Sequence, residues 1–198
     1  IMQEIIFAVR LPWIKACEVA KDKIKGIVYE SIINSPEYYA LIPGGMLYNE
    51  IGNPNIEGDL AVIIDTIVQS IDKDVTINPP YLIGETISSE FTINILQSSF
   101  ADILNLPQAS FTTEKGRLLP WLEWLLEFGN EDIIMGWHYS NEISETSRTH
   151  GGTMKWGGNW HIKLYGGTHS NNWLTRAMDK ILPIIQGILE TEFQVQLG

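Results

Sequence analysis

The sequence predicts an α+β fold, with long terminal helices packed on an antiparallel β-sheet and a Gly-rich β-hairpin arm. Three observations carry that expectation. Leu60, Ile63, Ile64, Ile67, Val68 and Ile71 recur at spacings of three and four, the repeat of a helix with one apolar face. The period then drops to two: Val75 and Ile77, Tyr81 and Ile83, then Phe91, Ile93 and Ile95 alternate with polar residues, as half-buried strands do. Helical stripes return near both ends, at Trp13–Ser31 and Trp173–Ile188, so helices flank the strands instead of alternating with them. At 198 residues and 44% hydrophobic content the chain can bury one substantial core, so a single domain, 1–198, is expected, with 140–167 protruding as an arm.

Taken in order, Trp13, Cys17, Ala20, Ile24, Ile27, Val28 and Ser31 lie near one face of a helix from about Trp13 to Asn34, with Lys21, Asp22 and Lys25 opposite. Ser35-Pro36 is a stop and a new start. Glu37–Leu47 reads as a helical segment broken by Pro43-Gly44-Gly45, followed by a turn at Gly52–Asn55. Asp59 is the expected N-cap of the amphipathic helix. In the strands, Pro79-Pro80 and Gly84 mark a bulge or turn. Ser99–Asn105 suits a single helical turn and Pro107–Gly116 a loop.

The apolar patterning is densest in Leu118–Tyr139. Leu118, Leu119, Leu122, Leu125 and Leu126 at helical spacing, with Trp121, Trp124 and Phe128 as an aromatic stripe, predict a short helix to Glu127, stopped by Gly129 and followed by a strand at Ile133–Tyr139. A helix apolar on nearly all sides must be covered, either by its own chain or by a neighbouring subunit. Three glycine pairs, at 151–152, 157–158 and 166–167, punctuate Ser140–Gly167 and make it a Gly-hinged hairpin. The last segment has a cap at Asn171-Asn172 and a helix that Pro183 must kink or divide.

Composition excludes some functions. A formal charge of −11 with only 13 basic residues does not grip nucleic acid by neutralising phosphates, although an acidic surface can face DNA without holding it. No run of about 18 apolar residues spans a membrane, and Ile1–Arg10 lacks the length and flanks of a signal peptide. The single Cys17 reads as a small buried residue. Together these fit cytoplasmic synthesis.

His138, His150, His161 and His169, with Glu142 and Glu145 nearby, raise a metal-dependent hydrolase, but their spacings match no ligand pattern and HExxH and CxxC are absent. Glu123 and Glu127 beside Trp121 and Trp124 could pair as acid and base on a sugar platform, or the tryptophans could serve a carbohydrate-binding module. At this spacing such carboxylates usually form the solvated edge of a helix. No nucleophile elbow, phosphate loop or dinucleotide fingerprint occurs. Catalytic residues, metal and cofactor are therefore assigned as none, and no enzyme activity is expected. Arg148, in a polar glycine-flanked stretch, suits a carboxylate on a partner, and Arg176 suits an ion pair within or between subunits.

TEKGRLLPWLEWLLEFG (Thr113–Gly129), SRTHGGTM (Ser147–Met154) and NNWLTRAMDKILP (Asn171–Pro183) together resemble the neck and tail-completion proteins of tailed bacteriophages. The resemblance covers about half of the chain, its C-terminal half, and departs at His150, where a glycine is expected directly after Thr149. It implies a virion structural protein at the head-to-tail junction: a homo-oligomeric ring, six-fold or twelve-fold, contacting portal-side connector proteins and tail proteins, with DNA passing through its lumen without sequence-specific binding. A tail terminator capping the tail tube is the alternative role. The candidate oligomer and partner contacts are Trp121, Trp124, Phe128, Trp137, Arg148, Trp156, Trp160, Trp173 and Arg176.

Overall fold

The computed structural model describes residues 2–73, 75–93, 100–129, 131–162 and 164–197. The predicted strand residue Ile95 and the predicted helix start at Ser99 lie outside them. The chain is α+β, as its periodicities predict: eight helices and three antiparallel two-stranded ladders among the described residues.

The first helix, α1 (Met2–Ile33), begins well before Trp13 and runs through Pro12. At 32 residues it is about 48 Å long at 1.5 Å per residue. The proline removes one backbone hydrogen bond there. Packing compensates, because the last helix lies along α1: Trp13 meets Phe193 edge-to-face at 5.3 Å, and Lys23 pairs with the buried Glu192 at 2.5 Å. Farther along α1, Ala16, Cys17, Ala20, Ile24, Val28 and Ile32 enter the core, the stripe that the sequence predicts. Burial raises the Cys17 thiol to about 11, which keeps it un-ionised at neutral pH.

Ser35 ends α1 and caps α2 (Pro36–Leu41), accepting a hydrogen bond from the Tyr38 N–H at 3.2 Å. After the glycine break, α3 (Met46–Ile51) ends in Gly52, which is left-handed at φ 68°. The amphipathic helix, α4 (Ile56–Lys73), starts three residues before the expected cap. Asp59 lies inside its first turn, with its N–H bonded to the Asn55 carbonyl and its carboxylate accepting from Asn53 Nδ2 at 2.8 Å. Ile56, Leu60, Ile63, Ile64, Ile67 and Ile71 are buried, and Asp72 at its far end binds Lys21 and Lys25 of α1.

The strands do not merge into the single sheet expected. β1 (Val75–Ile83) and β2 (Thr86–Ile93) form a hairpin turning at Gly84, φ 61°, with a register shift between Asn78 and Tyr81 at the two prolines. After α5 (Ala101–Leu104) and a 3₁₀ turn at Pro107–Ala109 comes a two-residue ladder of β3 (Phe111–Thr112) with β4 (Leu118–Leu119). Leu118 and Leu119 are thus strand, and α6 (Trp121–Leu126) is shorter than the helix predicted from Leu118. The third ladder pairs β5 (Ile134–Ser140) with β6 (Thr153–Trp160). The glycine-rich stretch therefore folds back on the preceding strand, and the hairpin includes Ile134–Tyr139 in place of two strands drawn from 140–167 alone.

Pro183 divides the C-terminal segment into α7 (Trp173–Asp179) and α8 (Leu182–Leu197). Asn172 caps α7 through a full capping box with Thr175. One continuous core, with Trp121 and Trp173 fully buried in it, joins α1, α4, α6 and α7. Among the described residues no helix is long and apolar enough to cross a membrane.

Candidate functional site

The chain itself covers the aromatic helix. Trp121 and Leu125 are fully buried, Trp124 is 8% exposed, and the Trp121 Nε1–H donates to the Gln108 carbonyl at 2.9 Å. Trp124 stacks edge-to-face on Trp160, whose indole N–H reaches Glu50 at 3.0 Å. Trp173 donates to Ser35 Oγ at 2.7 Å. Of the interface candidates, Trp121, Trp124, Trp160 and Trp173 are core residues: each ring is buried within the chain, and three of their indole N–H groups are bonded there. No stacking face is left at Trp121 or Trp124 for a sugar.

Arg176 is also spent within the chain. Its Nη2 lies 2.7 Å and its Nε 2.9 Å from Oε1 of the buried Glu37, while Nη1 holds Asn171. Phe128, Trp137 and Trp156 remain at the surface. Trp137 and Trp156 face each other across the β5–β6 ladder as an edge-to-face pair at 5.4 Å, with Trp156 77% exposed. The ribbon is bent beside them, where Gly136 sits in a bulge at φ 79°.

Arg148 organises this end of the molecule. Its Nε donates to the Gly52 carbonyl at 2.7 Å and Nη2 to the Ile51 carbonyl at 3.4 Å, so one edge of the guanidinium caps the C-terminus of α3. The guanidinium also lies 5.3 Å above the Phe111 ring. Partial burial pulls its pKa down and nearby Glu114 pulls it up, and a guanidinium stays charged throughout. The Nη1 edge carries no hydrogen bond among the described residues.

Arg148 also lines a cleft of about 700 Å³ between the β3–β4 turn and the β5–β6 ribbon. Leu119, Ile134, Trp137 and Met154 supply its apolar surface. Lys115, Arg117 and Arg148 supply three cations against one carboxylate, Glu114. A smaller polar recess of about 290 Å³ adjoins it and shares Lys115, Thr146, Arg148 and Met154. The ribbon keeps its shape there through Gly152, whose N–H donates to the Tyr139 hydroxyl at 2.9 Å. A Cβ on Gly152 would come within 1.9 Å of the Ser140 carbonyl oxygen, so only glycine fits.

Lys115 and Arg117 carry no ion pair among the described residues. They were not singled out from the sequence, although KGR in so acidic a chain is a local excess of positive charge. Phe111 and the Gly52 carbonyl, which fix Arg148, lie far away in the chain and left no local signal.

The histidines do not converge. His138 Nδ1 meets the Gly157 carbonyl at 2.6 Å, His161 approaches Asp132 at 3.3 Å, and His169 approaches Glu127 at 3.9 Å. Among the described residues no three His, Cys, Asp or Glu side chains gather as a metal site. His150 has φ 58°. The position where the sequence motif expects glycine is thus one where the backbone favours it. His150→Gly is expected to stabilise the fold by roughly 0.5–1 kcal/mol, the difference between the left-handed penalty of a side chain and the entropy cost of glycine. A lower thermal midpoint for the variant would show instead that the imidazole makes a stabilising contact.

No family model matches the chain, and neither the curated proteins nor the solved structures contain a significant match to it.

Proposed function

We propose that the chain is a non-enzymatic virion structural protein that assembles into a ring at the neck of a tailed bacteriophage, joining head to tail around the DNA channel. The observation that carries this reading is the surface at the β5–β6 end. An exposed Trp137–Trp156 pair lies beside an apolar cleft with a cationic rim, on a ribbon that is two-stranded among the described residues. Exposed tryptophans next to apolar surface and arginine are the composition of interface centres. The acidic balance of the chain supports it too, since −11 per subunit gives a lumen along which DNA slides without sticking. The resemblance of Thr113–Gly129, Ser147–Met154 and Asn171–Pro183 to neck and tail-completion proteins supplies the place in the virion.

Light scattering on the purified chain over a range of concentrations, followed by negative-stain imaging, tests the reading. Closed rings of about six or twelve copies are expected. A strict monomer at every concentration, alone and mixed with portal-side connector rings, would overturn it.

A further inference from the structure

The cleft beside the ribbon has a chemical complement on the surface of the same chain. Ile143, 85% exposed, stands in the loop after β5, with Glu142 next to it and Glu145 two residues beyond. An aliphatic side chain held in water beside two carboxylates is the counterpart of an apolar cleft with cations on its rim. Glu145 makes no ion pair among the described residues. Among the described residues Glu142 pairs with Lys155 alone, and both partners are exposed, so the pair is worth little and can be exchanged.

We propose that the Glu142–Glu145 loop of one copy seats in the cleft of another. Ile143 then lies against Leu119, Ile134, Trp137 and Met154, and the two glutamates face Lys115 and Arg117. The inference rests on the homo-oligomer part of the ring reading and names the contact that would build it.

Charge makes the occupant specific. Two copies at −11 repel each other, so self-association needs a place where the local sign is reversed, and the three cations of the cleft provide one. Its volume of about 700 Å³ is within the usual span of roughly 300–1,000 Å³ for pockets that engulf a ligand group. The tethered Arg148 contributes a fixed cation at little entropic cost, because packing and the α3 carbonyls already hold it. The loop leads directly into Thr146, which lines the cleft, so the two patches adjoin on one side of the chain.

The test is a charge swap in the full chain. One variant carries Lys115→Glu with Arg117→Glu, a second carries Glu142→Lys with Glu145→Lys, and a third carries all four. All four positions are exposed, so circular dichroism and the thermal midpoint should match the unmodified protein. Each two-site variant should need at least about tenfold higher concentration to assemble by light scattering, and the four-site variant should recover most of that loss. Ile143→Asp should also prevent assembly.

Rings that form unchanged in both two-site variants would overturn this contact while leaving the ring reading intact. Loss in both without recovery in the four-site variant would overturn the pairing of loop with cleft. An unmodified protein that never self-associates, alone or with connector rings, would overturn both the contact and the ring.

Discussion

Trp173→Ala should be among the most damaging single changes, lowering stability by about 3–5 kcal/mol. The ring is fully buried in the core at the start of α7, and its indole N–H donates to Ser35 Oγ at 2.7 Å. Ser35 in turn caps α2 through the Tyr38 N–H and donates to the Ile32 carbonyl at 2.6 Å. One side chain thus ties the end of α1 and the start of α2 to α7. Removing it leaves a large cavity and a buried hydroxyl short of one donor. Trp173→Phe keeps most of the volume and should cost only about 1–2 kcal/mol, chiefly the hydrogen bond. Equilibrium unfolding in urea checks the pair. Equal losses for both variants would mean that the hydrogen bond, and not the packing, dominates at this position.

The second large effect is expected at Glu37 and Arg176. Glu37 is 5% exposed at the first turn of α2, and its Oε1 takes both Nη2 and Nε of Arg176 from α7. Arg176→Met strands that carboxylate, a change that costs about 3–5 kcal/mol for a fully buried pair. About a third of the arginine side chain remains in water, which screens the charge and places the expected loss near 3 kcal/mol. Arg176→Met combined with Glu37→Gln removes the stranded charge and should recover about half of the loss or more. The remainder is the loop before α7, which Arg176 also holds through Asn171 and the Tyr165 carbonyl. A double variant no more stable than the single one would show that this loop anchoring, and not the ion pair, is the main contribution.

The same residue shows what a sequence can and cannot say about a partner. Arg176 was expected to meet an acidic side chain, and the residue type alone supports that expectation. That its partner is Glu37, 139 positions away in the same chain, follows only from the packing of α7 beside α2. The tryptophans divide for the same reason. Six of the seven look alike as interface candidates in the sequence, yet Trp121 and Trp173 are the centre of the core, whereas Trp137 and Trp156 stand outside it. Whether an all-apolar helix such as α6 faces its own chain or a neighbour depends on how much surface the other elements present to it, and local patterning does not contain that quantity.

Local physics was legible wherever a few adjacent residues decide the outcome. The cap at Ser35, the cap at Asn172, the division at Pro183 and the buried stripe of α4 all follow from side-chain chemistry within a turn or two. Boundaries shifted where distant packing prevailed. α1 continues through Pro12 because α8 covers it, and Leu118 and Leu119 become strand because β3 lies beside them. Strand periodicity likewise predicted the β1–β2 segments and β5 but not the short β3 and β4 or the partition into three ladders, since pairing joins residues that the helices bring together or keep apart. The cleft is the extreme case. Its cations come from the β3–β4 turn and the loop before β6, and its apolar surface from three strands. By itself the sequence determined the α+β class, the helix faces, the cap at Asn172 and the acidic charge, because these depend on neighbours within a few residues. Only the tertiary structure decided which aromatic rings are core and where cations and apolar side chains share a cleft, because those are properties of surfaces that exist once distant segments have packed.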